Sequence, residues 1–291
     1  MRDSLALSPA RAAFERIVDY AGLYPPACLP IAEAAAEYER ERAGPHAWML
    51  GRFIVPATRI GELESLLKAE GPVPLSVLLD GEIVSTARTT PQACEVALRI
   101  DNELGLARAA IHAVAKTART LAPALPLAVE IPATLSAALL AEAMDALAEA
   151  GFAAKLRCGG VTEDAVPSVE HVAAFMRAAM HERVPVKATA GLHHPVRHFN
   201  ESAGFTMHGF LNLLAAACFA GECDSAVATQ IVAEEDRHAF AFDERGFRWR
   251  DRIADEARLR DVRRTRLLAF GSCSFREPLE DLLALGLLPE G

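Results

Sequence analysis

Two lysines lie inside apolar, β-rich segments of this sequence. Lys155 falls in the run Phe152-Ala-Ala-Lys-Leu-Arg-Cys-Gly-Gly, and Lys187 falls in Val184-Pro-Val-Lys-Ala-Thr-Ala-Gly. Of the 30 basic residues only four are lysines, the other two being Lys68 and Lys116. Because arginine is the general cation elsewhere in the chain, a lysine in an apolar strand indicates a chemical role.

Two ammonium groups that face each other away from water repel one another. Desolvation adds to this repulsion, and both effects lower the pKa of a lysine. Schiff-base formation with a carbonyl compound requires a neutral amine, so the pattern predicts covalent catalysis on a carbonyl substrate. Two other interpretations remain open. One lysine pairs with a carboxylate such as Glu130 and stabilises the fold, or it binds a phosphate or carboxylate group of a ligand.

The elements that position these lysines alternate between short β-rich runs and amphipathic stretches, which is the pattern of a parallel sheet covered by helices. We expect a single domain over residues 1–291 with the α/β fold of a (β/α)₈ TIM barrel. The predicted strands are Ile17–Tyr20, Arg52–Val55, Leu75–Leu79, Ala109–Val114, Leu127–Ile131, Ala153–Arg157, Val184–Thr189 and Leu267–Phe270. The predicted helices are Ile31–Arg42, Ile60–Ala69, Thr90–Leu104, a short helix before Pro123, Ser136–Ala150, Ser168–His181, Met207–Ala220 and Pro278–Leu285.

A long insertion precedes the last predicted strand. Within it, the run that starts at His238 alternates apolar and polar residues around a turn and predicts a small β-hairpin. The apolar side chains of this hairpin are either a surface on which copies of the chain form a homo-oligomer or a face that packs against the barrel. They are Phe240, Phe242, Phe247 and Trp249.

At the two lysines the sequence resembles the deoxyribose-phosphate aldolase family of class I, Schiff-base-forming aldolases. The similar motifs, in chain order, are Ile17-Val-Asp19 through Pro25, Phe53-Ile-Val-Pro56, the Lys-x-x-x-Gly turn at Lys155, Val186-Lys187-Ala-Thr-Ala-Gly191 and Phe270-Gly-Ser-Cys-Ser274. The resemblance implies that Lys155 forms the imine and that Lys187 lowers its pKa. It also implies that Gly271, Ser272 and Ser274 form an anion-binding turn whose backbone N–H groups face the ligand.

The chain departs from the pattern of this family in two places. The acid that the family carries on strand 4 to relay protons has no match in the predicted fourth strand, where the chain reads Ile111-His-Ala-Val-Ala-Lys116. After strand 7, the phosphate-binding Gly-Gly of the family is replaced by Ala190-Gly191, followed by Leu-His-His-Pro. We therefore expect a divergent relative with a different proton relay and a changed phosphate site.

Four histidines follow the predicted strand 7, namely His193, His194, His198 and His208. At the mouth of a barrel, His193 and His194 are candidates for general acid–base catalysis in place of the missing carboxylate. Imidazole is also a common metal ligand, so the four histidines together are a candidate metal site. A structural role is the third interpretation, because a histidine in a proline-containing loop can hydrogen-bond the backbone.

Further polar and glycine residues are predicted at the mouth as candidates for substrate binding: Asp19, Glu130, Arg157 and Gly191. Arg157 lies two residues after Lys155 and therefore on the same face of the strand. There it is suited to bind a substrate carboxylate with two hydrogen bonds. The alternative is a salt bridge between Arg157 and Glu130 on the neighbouring strand.

Composition limits the classes of partner. The formal net charge of −9 argues against a nucleic-acid partner, because phosphate binding needs a basic face. The sequence shows neither a membrane-spanning apolar segment nor a signal peptide. The six cysteines are scattered without zinc-binding spacing, so we expect reduced thiols in a cytoplasmic protein.

The leading hypothesis is a Schiff-base-forming, aldolase-like lyase whose substrate is a small carbonyl compound, with or without an anionic group. Its mechanism requires no metal and no organic cofactor, with His193 or His194 moving the proton. The first alternative is a metal-dependent hydrolase or isomerase built on the four histidines, with Lys155 and Lys187 binding an anionic group. The second is a non-catalytic ligand-binding barrel.

Overall fold

The structure is a computed structural model that describes residues 9–68, 71–83, 88–98, 106–122 and 124–288. The strands in these ranges are β1 (Val18–Tyr20), β2 (Leu50–Pro56), β3 (Val73–Leu78), β4 (Thr89–Ala97), β5 (Leu127–Glu130), β6 (Ala153–Arg157), β7 (Val186–Thr189), β8 (His198–Asn200), β9 (Phe205–Met207), β10 (Phe240–Asp243), β11 (Gly246–Trp249), β12 (Arg252–Ala254) and β13 (Leu267–Ser272). The α-helices are α1 (Pro9–Phe14), α2 (Ile31–Arg42), α3 (Ile60–Leu66), α4 (Leu106–Leu121), α5 (Ala137–Ala150), α6 (Val169–His181), α7 (Phe210–Phe219), α8 (Ser225–Ala233), α9 (Glu256–Thr265) and α10 (Arg276–Ala284).

A closed barrel of parallel strands forms the centre of the fold. Strands β1 to β7 neighbour one another in chain order, and β13 lies between β7 and β1 and closes the barrel. Helices α2, α3, α4, α5, α6 and α10 each follow a barrel strand. The predicted TIM barrel is therefore confirmed. Between β3 and β4, the residues that the structure describes (79–83 and 88) contain no helix.

The predictions of the third helix and the fourth strand are wrong. Residues 109–114, predicted as strand 4, lie inside helix α4, whereas residues 90–97 of the predicted helix 3 lie in strand β4. The rest of that predicted helix, from residue 99 to residue 104, falls outside the described ranges. Pro91 lies near the start of β4, next to a register shift against β3, where its missing N–H is tolerated. Helix α4 buries one side at helical spacing, with Ala107, Ile111, Ala115 and Ala118 in the core.

Serine caps fix the starts of the helices around the site. Ser136 accepts a hydrogen bond from the backbone N–H of Leu139 at the start of α5. Ser168 accepts one from the backbone N–H of His171 at the start of α6. Among the helices in the described part of the chain, none combines the length and the apolar character that crossing a bilayer requires.

The insertion between β7 and β13 contains the predicted hairpin, a third strand beside it and a second hairpin. Strands β10 and β11 form the hairpin, and β12 adds a third antiparallel strand. Phe240, Phe247 and Trp249 are buried within this chain. The ring of Phe242 lies 5.1 Å from the ring of Phe14 on α1. The hairpin therefore packs against its own barrel, and the interpretation of this apolar face as a homo-oligomer surface is not supported. Closer to the mouth, β8 and β9 form a second hairpin.

Candidate active site

The two strand lysines lie side by side inside the barrel. Lys155 on β6 is in register with Lys187 on β7. The Nζ atom of Lys187 lies 2.6 Å from Oδ2 of Asp19 on β1, which is buried, and also contacts Glu95 on β4. These partners lie on other strands around the barrel, so the lysine side chain crosses the interior. Lys155 is 7% exposed and Lys187 is 3% exposed, so both ammonium groups are largely removed from water.

Glu95 joins the two lysines. Its Oε2 atom lies 2.9 Å from Nζ of Lys155, and its Oε1 atom accepts a hydrogen bond from Nζ of Lys187. The hydroxyl of Ser76 on β3 donates to the same Oε1 atom over 2.6 Å and accepts from Lys187 over 3.0 Å. One buried carboxylate is therefore shared between two ammonium groups. Glu95 places a carboxylate on strand 4, where none was predicted because the fourth strand was misplaced.

Glu130 completes the surroundings of Lys155. Its Oε2 atom lies 3.0 Å from Nζ of Lys155, and its Oε1 atom accepts from Nε of Arg157 over 3.0 Å. Both structural interpretations made from the sequence are therefore present, since Lys155 and Arg157 each pair with Glu130. Arg157 is half-exposed at the mouth and is held by Glu130 rather than left free for a substrate carboxylate.

The carboxylates decide the protonation state of Lys155. Burial lowers its pKa, but the charges of Glu95 and Glu130 and their hydrogen bonds outweigh burial, so the pKa of Lys155 is raised. Burial likewise opposes the ionisation of Glu95, but Lys187 and Lys155 outweigh it and lower its pKa. The pKa of Glu130 is also lowered, because Lys155 and Arg157 outweigh its burial. The expectation of a lowered Lys155 pKa is thus wrong for the resting site, which holds ion pairs.

A cavity of about 1080 Å³ opens above these groups. Lys155, Glu95 and Glu130 line it, whereas Lys187 does not reach its wall. Of the predicted substrate-binding residues, Arg157, Gly191, Gly271 and Ser274 line the cavity, together with His193 and His194. Asp19 lies deeper, where its Oδ1 atom accepts from the backbone N–H of Arg52 over 2.8 Å. Lys155 is therefore the buried lysine that a ligand in this cavity can reach.

The loops after β6 and β7 touch through their backbones. Gly191 has φ +71°, and a Cβ atom built on it would lie 3.1 Å from Cα of Gly159. The preceding Ala190 has φ +62°, which is unusual for a residue with a side chain. Glycine is thus needed at 191 for its backbone conformation and for the close approach, in a loop that lines the cavity beside Lys155.

The turn after β13 is occupied mainly by its own hydrogen bonds. The Oγ atom of the buried Ser272 accepts from the backbone N–H of Ser274 over 3.4 Å. The Oγ atom of Ser274 accepts from the N–H of Glu277 over 3.2 Å. Because the carboxylate of Glu277 lies on the same cavity wall, the turn offers a poorer phosphate site than the sequence motif implies.

The four histidines are held by different partners. Nδ1 of His193 lies 2.7 Å from Oε2 of Glu277, and Nδ1 of His194 lies 2.6 Å from Oδ2 of Asp281. His198 packs edge-on against His194 and contacts the carbonyl oxygen of Val196, and His208 contacts that of Pro167. Within the described ranges, no three His, Cys, Asp or Glu side chains are grouped closely enough to hold a metal ion. The geometry therefore does not support the metal-site alternative.

Several residues at the cavity were not predicted as site residues: Tyr24, Glu95, Cys273 and Glu277. Glu95 carried no local signal, since Thr90-Pro91 is as compatible with the first turn of a helix as with the start of a strand. Cys273 lay inside the quoted motif Phe270-Gly-Ser-Cys-Ser274 without being assigned a role, Glu277 carried no local signal, and the fold brings both to His193. The hydroxyl of Tyr24 is buried without a hydrogen-bond partner among the described residues.

Comparison with known proteins gives limited similarity. No protein-family model matches the chain, and no curated protein matches it. Among solved structures, an aldolase called QR15 has 13% identity and a TM-score of 0.43, over 61% of this chain and 81% of that chain. A Schiff-base-forming fructose-1,6-bisphosphate aldolase has 15% identity and a TM-score of 0.39, over 80% of this chain and 97% of that one.

An archaeal fructose-1,6-bisphosphate aldolase, with its catalytic lysine bound to the carbinolamine intermediate of its substrate, has 13% identity. Its TM-score is 0.38, over 91% of this chain and 98% of that chain. Similarity at these levels does not assign an activity. The barrel of this chain is established by its own strand order.

Proposed function

We propose that this protein is a Schiff-base-forming, aldolase-like lyase that acts on a small carbonyl compound, with Lys155 as the imine-forming amine. The observation that carries the proposal is the position of Lys155. It is a buried lysine that reaches the cavity, and its Nζ atom lies 2.9 Å and 3.0 Å from two carboxylates that can accept its proton. A carbonyl substrate in the cavity would meet the amine and its proton acceptors together.

The first chemical step begins with transfer of a proton from Lys155 to Glu130 or Glu95. The neutral amine then attacks the carbonyl carbon, the C=O π electrons move to oxygen, and that oxygen takes a proton. Loss of water gives a protonated imine. A bond from the α carbon, either C–C or C–H, then breaks, and its electron pair moves toward the imine nitrogen. Glu95 and Glu130 are the groups placed to accept and return the protons, because they contact Nζ directly.

Lys187 acts on Lys155 through Glu95. Because Lys187 contacts Oε1 of Glu95 and also Asp19, it takes up part of the negative charge that would otherwise hold the proton on Lys155. In this way Lys187 lowers the pKa of Lys155 relative to a site without it, although the resting value stays raised. Its burial away from the cavity wall fits a supporting role rather than attack on the substrate.

His193 and His194 line the cavity but are engaged by Glu277 and Asp281. In this proposal they contact the substrate away from the imine, and Gly191 and Gly271 also line the cavity. Proton transfer at the imine belongs to the carboxylates on β4 and β5. This assignment replaces the proton-transfer role predicted for the two histidines.

The charge of the cavity indicates an uncharged substrate. The described residues on its wall include four carboxylates against Lys155, Arg157 and the imidazole groups. These carboxylates are Asp80, Glu95, Glu130 and Glu277. Each of these basic groups already contacts a carboxylate of this chain, so a phosphate group would find none of them free, while hydroxyl groups would find acceptors. We therefore propose a small, uncharged, hydroxylated aldehyde or ketone as the substrate class.

Borohydride trapping tests this function. The protein is incubated with a panel of short aldehydes and ketones, each hydroxylated compound being paired with its phosphate ester, then reduced and mapped by mass spectrometry. We expect a stable adduct on Lys155 with uncharged compounds and weaker trapping with their phosphate esters. The chain supplies an internal control, because Lys68 and Lys116 are exposed lysines. Adducts confined to these exposed lysines, or unchanged in Lys155→Arg, would overturn the proposal.

A further inference from the structure

Cys273, His193 and Glu277 form a second group of reactive side chains, here called the thiol cluster. Nε2 of His193 lies 3.7 Å from Sγ of Cys273, within range of a hydrogen bond to sulfur, and Nδ1 lies 2.7 Å from Oε2 of Glu277. All three side chains line the same cavity as Lys155. A nucleophile, a base within hydrogen-bond reach and a third group that orients the base are the parts of an activated nucleophile.

His193 places a positive charge beside the sulfur atom of Cys273. Burial lowers the pKa of His193, but hydrogen bonds to Cys273 and Glu277 and their charges outweigh it and raise the pKa to about 9. The hydrogen bond to His193 in turn lowers the pKa of Glu277. His193 is therefore an imidazolium at neutral pH, and a cationic neighbour within hydrogen-bond reach is a general feature of reactive cysteine sites.

The other cysteines lack this combination. Burial raises the pKa of Cys94 to about 11 and that of Cys158 and Cys218 to about 12. Cys28 is exposed. All six cysteines lie in the described ranges, and Cys273 is the one that lines the cavity. Access from the cavity and an adjacent imidazolium therefore coincide at Cys273.

We propose that the thiol cluster is a covalent binding site for a small aldehyde. Sγ of Cys273 adds to the carbonyl carbon, and the C=O π electrons move to the oxygen, which takes a proton from Nε2 of His193. His193 takes up the proton that leaves the thiol. The product is a neutral hemithioacetal, and His193 ends in the protonation state in which it began. Reversal of the same step releases the aldehyde, so no oxidant or further reactant is needed.

This inference rests on the proposed function, since carbonyl chemistry at Lys155 is what brings an aldehyde into the cavity. One strand, β7, separates β6 from β13, so the two reactive groups lie on the order of 10 Å apart around the mouth. A cavity of about 1080 Å³ has room for two small molecules. Lys155 would hold one carbonyl compound as an imine. Cys273 would hold the aldehyde that C–C cleavage releases or that C–C formation consumes.

The reactivity of Cys273 is tested first. Wild-type protein is treated with iodoacetamide at pH 7, and the modification rate of each cysteine is followed by mass spectrometry. We expect Cys273 to react about tenfold faster than Cys28, although Cys28 is the more exposed. His193→Gln and Glu277→Gln should bring the rate at Cys273 down to that of Cys28 or below. Faster labelling of Cys28 in the wild-type protein, a comparison that needs no variant, would overturn the proposal.

Aldehyde binding is tested by protection with propanal. The experiment uses Lys155→Arg, because arginine retains the positive charge beside Glu95 and Glu130 but forms no imine under these conditions. We expect propanal to slow alkylation of Cys273 at least several-fold and to leave Cys28 unchanged, while acetone, a weaker electrophile, gives less protection. Equal rates with and without propanal in this variant or in the wild-type protein would refute the site. If propanal protects Cys273 but the wild-type protein gives no borohydride-trapped adduct on Lys155, the role of Lys155 is refuted and the site at Cys273 stands.

Discussion

The Nζ atom of Lys155 lies 2.9 Å from Oε2 of Glu95, and the other oxygen of this carboxylate contacts Lys187. The carboxylate therefore links a lysine at the cavity to a lysine beneath it. It also opposes the like-charge repulsion that would otherwise make either amine neutral. In the proposed reaction, activation of Lys155 therefore requires a proton transfer within the site, and the negative groups around it set the pH at which the amine becomes neutral.

Substitution of Glu130 and substitution of its partner Arg157 should shift the pH at which Lys155 becomes neutral in opposite directions. Glu130→Gln removes a negative charge that lies 3.0 Å from Nζ, so the pKa of Lys155 falls. Arg157→Gln frees Glu130 from its second partner, so the pKa of Lys155 rises. We expect the midpoint of the pH dependence of borohydride trapping to move down by about one unit for Glu130→Gln and upward for Arg157→Gln. Shifts in the same direction would contradict the role of Glu130.

Removal of Lys187 should destabilise the fold. Lys187→Met leaves the buried Asp19 and Glu95 without their shared cation, which typically costs about 3–5 kcal/mol of unfolding free energy. Adding Glu95→Gln should recover part of this loss, because one of the uncompensated charges is then removed. Denaturant unfolding measures both effects. Lys116→Met, at an exposed position on α4, is the control and should change stability by less than about 0.5 kcal/mol. An equal loss in the control would show that the buried ion pairs are not the cause.

His193 should make stability depend on alkaline pH. Its folded-state pKa of about 9 lies above the unfolded value near 6.5, so its contribution is complete below about pH 6.5 and is lost as the pH rises toward 9. We expect the unfolding free energy of the wild-type protein to fall over this range and that of His193→Gln to fall less. Urea unfolding at pH 6.5 and pH 9 measures the difference. His181→Gln, on the protein surface, should keep the wild-type difference, and an identical loss in all three proteins would contradict the assignment.

The local sequence pattern was sufficient to predict most strands and helices of the barrel and to identify its two lysines. Strand β6 was predicted over its observed range, and helix α2 likewise, because both segments carry a clear period and an exit signal. Lys155 and Lys187 were identified because lysine is scarce in this chain. Lys155 cannot be replaced by arginine where an amine must become neutral, so its identity carries information.

The protonation of the site depends on contacts between strands that are distant in the sequence. Segment 90–104 has enough apolar residues to suggest a helix, and mistaking β4 for that helix removed Glu95 from the mouth. Asp19 and Lys187 are separated by 168 positions in the sequence, and Glu95 and Lys187 by 92. Without these contacts, two neighbouring lysines predict a lowered pKa, which is the opposite of the direction in the structure.

The loop after β7 provides a test of how precisely the mouth is built. Gly191→Ala should be destabilising for two reasons, since φ is +71° and the added Cβ would lie 3.1 Å from Cα of Gly159. Gly204 is the matched control, with φ +82° and no atom within 4 Å of the corresponding Cβ position. Gly204→Ala should therefore cost only the conformational penalty of about 1–2 kcal/mol, measured by denaturant unfolding.

The unfolding free energy that Gly191→Ala loses beyond the loss in Gly204→Ala measures the contact between the loops after β6 and β7. Because this contact lies beside Lys155, we expect Gly191→Ala to slow imine trapping at Lys155 as well, while Gly204→Ala leaves the trapping rate near that of the wild-type protein. Equal stability losses and equal trapping rates in the two variants would show that only the backbone conformation matters at Gly191. A loss of trapping without an additional loss of stability would instead place Gly191 in direct contact with the bound carbonyl compound.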